Sequence, residues 1–194
     1  MVVGRPRQFD RDEALEKAMD TFWTKGYEAA SVQDLLNAMG INRGSMYDTF
    51  GDKHALFAAA FDHYIEMQSG QRGSVLESPG SPLGNVRNML DMVSRVATDG
   101  QQRGCMVTNS IVELASCDPM VADALGSVFE RMVANVRRTL DRAVEAGEMA
   151  RNANTRAQTR FVMATVHGLT VLGKSGRTRK ELIDVIDVAM SALK

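Results

Sequence analysis

The chain has 194 residues, 44% of them hydrophobic, with 23 Lys and Arg against 24 Asp and Glu for a formal net charge of −1. That balance excludes wholesale disorder and argues against a protein held to nucleic acid or membrane by bulk positive charge. No apolar run approaches the roughly 18–20 residues of a membrane span, residues 1–7 lack the apolar core of a secretory signal, and two cysteines cannot build a disulfide scaffold or a four-ligand zinc site; a soluble, cytoplasmic protein without cofactor or metal is expected.

Glycine and proline punctuate the chain at helical intervals, and no stretch alternates as a half-buried strand would. Asp10 caps a first helix in which Ala14, Leu15, Ala18, Met19, Phe22 and Trp23 recur at spacings of three and four, closed by Gly26. Ser31, with Asp34 three residues on, caps a short second helix that Gly40 ends. Asn42 caps a third, running to Phe50, and Leu56, Phe57, Ala60, Phe61 and Tyr64 share one face of a fourth from 53 to about 67. The stretch 69–84, with four glycines and two prolines, reads as a connecting loop. Five further helices are expected at about 83–98, 104–116, 119–147, 155–173 and 178–193, which makes the chain all-α with about nine helices. The charge is uneven along it: residues 1–56 sum to −2, 57–150 to −4 and 151–194 to +5. The basic run 174–180 reads as a solvated loop or helix terminus.

Residues 31–50, SVQDLLNAMGINRGSMYDTF, carry the most information. Two short helices meet at a tight turn containing Gly40, with Leu35, Leu36, Met39, Ile41, Met46 and Phe50 placed to lock them together, as in a helix-turn-helix. The second helix offers Asn42, Arg43, Gly44, Ser45 and Tyr47 near its N-terminus. Gly44 permits close backbone approach, Arg43 suits guanine, and the hydroxyls of Ser45 and Tyr47 suit bases or phosphates.

These residues sit in a longer ordered series: GRPR at 4–7, FDRD at 9–12, FWTKGYEAAS at 22–31, MGINRGSMY at 39–47, FGDK at 50–53, then Leu56 and Phe57. Over residues 5–65 the chain resembles the N-terminal DNA-binding domain of the TetR family of bacterial transcriptional regulators. The resemblance implies a helix-turn-helix DNA-binding domain over 1–67, a connecting loop over 68–84, and a helical effector-binding and dimerisation domain over 85–194. It implies phosphate contacts from Ser31, Tyr47 and Lys53, a minor-groove arm at Arg5 and Arg7, and base reading by Arg43, Gly44 and Ser45. Phe22 and Trp23 are expected in the core.

Beyond residue 83 the resemblance implies homodimerisation through the last two helices. Apolar positions from Phe161 to Leu172 and from Leu182 to Leu193 would supply the interface, with small Ala164 and Gly168 allowing close approach. Two recognition helices about 34 Å apart, or a multiple of that, suit a pseudo-palindromic double-stranded operator. A small, hydrophobic effector is expected to release the repressor from it. Met89, Met92, Met132 and Met163 fall in helices that would surround a pocket, as pliable lining or as ordinary core. Asn109 and Glu113, one turn apart, and His167 on an apolar helix are polar groups that either orient a ligand or satisfy the core. Cys105, following Arg103 and Gly104 at a helix start, is either a reactive thiol or a small buried hydrophobe. No nucleophile with a paired base, metal-ligand spacing or phosphate loop appears, so an enzyme is not expected.

Overall fold

The computed structural model describes residues 9–101, 103–114 and 119–193. Among them lie nine α-helices: α1 Arg11–Lys25, α2 Val32–Met39, α3 Arg43–Phe50, α4 Lys53–Leu76, α5 Pro82–Ala97, α6 Met106–Leu114, α7 Pro119–Glu145, α8 Thr155–Lys174 and α9 Arg179–Ser191. None is long and apolar enough to cross a membrane, judged on the described residues. The chain divides into two compact units at residues 67 and 68, a boundary that falls inside α4.

In the N-terminal unit the predicted caps form. Asp10 accepts from the amides of Asp12 and Glu13, Ser31 builds a capping box with Asp34, and Asn42 accepts from Ser45 N at 2.9 Å. Each satisfies first-turn amides that have no carbonyl inside the helix. Apolar faces then close on one another: Phe22, Leu35, Met46, Leu56, Phe57 and Tyr64 are all buried. Edge-to-face ring contacts join Phe22 to Phe57 at 5.2 Å and Trp23 to Tyr64 at 5.0 Å, so Phe22 and Trp23 are core residues as expected. Gly40 ends α2 with φ 68°, the left-handed conformation in which a side chain is strained, and its amide bonds back to Leu36 O at 3.0 Å. That turn sets α3 against α2.

The C-terminal unit packs α5, α7, α8 and α9 around Val86, Leu90, Leu140, Val162, Leu169, Leu182 and Ile186. Ser81 caps α5 and donates to Glu148, whose carboxylate also accepts from Leu83 N, both at 2.9 Å. At Gly173 α8 lies so close to α5 that a Cβ there would stand 2.5 Å from the Cβ and carbonyl oxygen of Ala97.

The expected loop over 68–84 is corrected by the structure. Helix α4 continues through Gly70 and Gly73 to Leu76, leaving residues 77–81 as the connection. The reason lies at the helix end. Leu76 is buried, and its carbonyl accepts from Asn85 of α5 and from Thr139 and Arg142 of α7. Three donors on one terminal carbonyl, one of them cationic, offset the roughly 1 kcal/mol that each helical glycine costs.

Candidate functional site

Helix α3 buries Met46 and Phe50 and leaves Arg43, Gly44 and Tyr47 exposed, Tyr47 at 45%. The N-terminal half of α3 is therefore a solvent-facing surface backed by a rigid core. Asn42 Oδ1 caps Ser45 N and Asn42 O takes Met46 N, so the amides of Arg43 and Gly44 are the first-turn donors left to an outside acceptor. A Cβ on Gly44 would touch Asn42 Oδ1 at 3.3 Å, close enough to disturb that cap.

Lys53 opens α4, where Asp52 caps Ala55 N at 2.8 Å. Its ammonium stands 4.4 Å over the Tyr27 ring and donates to Glu28 O at 3.4 Å, so the charge is held at a helix N-terminus by the loop before α2. Ser31 caps α2 as expected. Its Oγ donates to Asp34 Oδ2 at 2.7 Å and accepts from Asp34 N, so a phosphate contact has to compete with its own capping box. The Lys25 ammonium 2.7 Å from Asp34, with Ser31 adding hydrogen bonds, holds the Asp34 carboxyl down at about 2. Arg5 and Arg7 lie outside the described residues.

The residues expected to line an effector pocket separate into two groups. Met89 and Met163 are buried in the core cluster of the C-terminal unit, Met132 packs partly buried against it, and Met92 and Glu113 are half-buried. Cys105 sits just ahead of α6, where its carbonyl accepts from Asn109 N, and its side chain is buried. The helix starts at Met106, about two residues later than expected, so the buried thiol lies just outside it. Asn109 and His167, in contrast, stand at cavities. One of about 580 Å3 lies between α6, α7 and α8, with Val112, Phe129, His167 and Leu172 in its walls. A second of about 260 Å3 holds Asn109 and Lys174, and Thr108 and Val171 border both.

Sequence reasoning missed Phe129 and Lys174 at these cavities. Lys174 was visible only as the first member of the basic run 174–180. Its link to Asn109, 65 residues earlier, leaves no local trace.

The apolar positions expected for dimerisation divide as well. Val162, Leu169, Leu182, Ile186 and Leu193 are buried within the unit, whereas Phe161, Ala164, Gly168, Val185 and Val188 face solvent. On α8 the exposed set, with Val171 added, follows helical spacing along a single outward face.

Comparison with known proteins agrees with this geometry. A family model described as bacterial regulatory proteins, tetR family, matches residues 14–60, and one described as tetracyclin repressor-like, C-terminal domain, matches residues 82–187. The HTH-type transcriptional regulator YezE of Bacillus subtilis is 31% identical over 193 residues, 98% of this chain and 100% of that protein. The HTH-type transcriptional repressor ComR of Escherichia coli is 26% identical over 186 residues, 94% of this chain and 88% of its own length. Among solved structures, a cysteine mutant of the TetR family transcriptional regulator CifR complexed with 26-bp double-strand operator DNA superposes with a TM-score of 0.89 at 33% identity, covering 98% of this chain and 100% of that one. The exposed N-terminal half of α3, the helices that brace it and these matches along both units together make the chain a member of the TetR family, a helix-turn-helix DNA-binding transcriptional regulator.

Proposed function

We propose that the protein is a homodimeric repressor that binds a pseudo-palindromic operator and leaves it when a small effector occupies the C-terminal unit. The observation carrying the reading is the face of α3 on which Arg43, Gly44 and Tyr47 stand exposed and Ser45 half-buried, while Met46 and Phe50 anchor the helix behind them. In this reading Arg43, Gly44 and Ser45 meet base edges. Asn42, Tyr47 and Lys53 hold the register on phosphates, Ser31 joins them when its cap yields, and Arg5 and Arg7 form the arm.

Dimerisation is supported by the apolar residues left in water on α8 and α9: Phe161, Val171, Val185 and Val188 are 42%, 56%, 38% and 69% exposed. Large side chains collected on adjoining helices are the usual mark of a protein interface. Two recognition helices then act together, which is how a chain of net charge −1 gains affinity from a few placed cations.

The effector acts by differential affinity for the DNA-competent and released arrangements of the dimer. The test is a gel-shift titration at fixed salt with a fragment of the gene's own upstream region. Arg43→Ala should cost about 1–3 kcal/mol on the specific site and relax sequence preference. Unchanged affinity and specificity in that variant would remove α3 from the role of recognition helix.

A further inference from the structure

We propose that the two adjoining cavities between α6, α7 and α8 form one trough for an amphipathic carboxylic acid, its apolar body against Phe129 and its carboxylate on Lys174. The proposal rests on the regulator reading only in taking this molecule as the effector.

The trough has two chemically different ends. The larger cavity, about 580 Å3, is walled mainly by apolar side chains; Val112 and Val171 on its rim stand 80% and 56% exposed in the single chain, and Val171 also belongs to the α8 face proposed above for dimerisation. The site is a groove open to solvent on one side, and its lining is apolar with a few placed polar groups, the composition typical of small-molecule sites. Two of its lining rings, Phe129 and His167, stack on one another at 5.7 Å and 15°. The His167 ring is fixed by a 2.9 Å hydrogen bond between its Nδ1 and Thr108 Oγ1, and Thr170 Oγ1 donates to His167 O at 2.8 Å. Phe129, only partly buried, offers an aromatic contact to a ring-bearing body.

The smaller cavity begins at Thr108 and Val171, which it shares with the larger one, and ends at Lys174. There Asn109 is oriented by its own donor, Nδ2 to Arg103 O at 2.8 Å, so that Oδ1 accepts from Lys174 Nζ at 3.1 Å. The lysine stem lies against Gly104, where an added Cβ would meet its Cδ at 3.3 Å. Among the described residues no carboxylate pairs with Lys174. Lys174 is exposed to solvent, one of its three ammonium protons is committed to Asn109, and the other two face outward. A carboxylate at the mouth of an apolar cavity takes one of these in a charge-assisted hydrogen bond.

The proposal is tested by equilibrium dialysis of the full-length protein against 4-phenylbutyrate and, separately, 4-phenylbutan-1-ol, which has the same body without the charge. The acid should bind saturably at one site per subunit and the alcohol about tenfold more weakly. Lys174→Met keeps the apolar stem, and should weaken the acid about tenfold while leaving the alcohol unchanged. Phe129→Ala should weaken both. Equal binding of acid and alcohol, or an acid affinity indifferent to Lys174→Met, overturns the carboxylate assignment. Absence of saturable binding by either, as when a second subunit fills the trough, overturns the site. Operator binding without ligand, measured in parallel, separates the two readings. Wild type and Lys174→Met should bind DNA equally, and failure of wild type to bind DNA counts against the regulator while the dialysis result stands.

Discussion

The contact at Gly173 gives the sharpest test of the packing in the C-terminal unit. An alanine methyl there would lie 2.5 Å from both Cβ and O of Ala97 and 2.8 Å from its carbonyl carbon. Carbon atoms pack at about 3.5–4.0 Å, so the shortfall is about 1 Å, against backbone rather than the tip of a flexible side chain. Ala97 is itself buried, so α5 has no room to retreat without moving core side chains. Overpacking of this kind costs about 1–3 kcal/mol, which for a unit of this size lowers the melting temperature by about 3–15 °C. Gly126→Ala is the matched control: its Cβ would meet nothing within 4 Å on α7, and losing a helical glycine should stabilise by about 0.5–1 kcal/mol. Thermal melts of the two variants and wild type by far-ultraviolet circular dichroism, at one protein concentration, should rank Gly126→Ala highest and Gly173→Ala lowest. The chain's single tryptophan, Trp23, reports separately on the N-terminal unit by fluorescence. A Gly173→Ala protein melting within about 1 °C of wild type would falsify the close approach of α8 to α5.

Three further outcomes are expected. Arg142→Met removes the cationic donor from Leu76 O and leaves Asn85 and Thr139, so the last turn of α4 should lose about 1–2 kcal/mol of protection in amide hydrogen exchange; unaltered exchange would mean that the remaining pair suffices. Val188→Glu places a carboxylate on the outer face of α9, and sedimentation should show a dimer dissociation constant raised at least about tenfold if that face is the interface; an undisturbed dimer assigns the interface elsewhere. Because the Asp34 carboxyl sits at about 2 when folded against an ordinary 3.8, it stabilises the fold above pH 3.8 and loses that contribution as pH falls toward 2. Asp34→Asn should therefore flatten the dependence of melting temperature on pH between 4 and 2, and an identical slope in both proteins would assign the acid sensitivity to other groups.

The helix starts were readable in the amino-acid order because caps are local. Asp10, Ser31 and Asn42 each satisfy amides two or three residues away, and the structure uses all three. The exposed face of α3 was readable for the same reason, since exposed Arg43 and Tyr47 and buried Met46 and Phe50 lie within one eight-residue helix. What escaped was settled at long range. Glycines 70 and 73 predict a break, but the end of α4 is decided by Asn85, Thr139 and Arg142. The sequence placed Met89 and Met163 in helices around a pocket as either lining or core, and local pattern cannot tell a face that meets other side chains from one that meets a cavity. Helical spacing likewise marked α8 and α9 as apolar without separating Val162, which fills the core, from Phe161 beside it, which does not.

Gly168, Val171 and Leu172 border the large cavity, and Gly168 and Val171 also stand on the outward face of α8. If a second subunit lies on that face, ligand occupancy and self-association draw on the same few side chains and become thermodynamically linked, each changing the other's equilibrium by the same factor. Induction would then depend on how many copies of the regulator the cell holds as well as on the level of effector. The repressor's own abundance would set the threshold at which its genes respond.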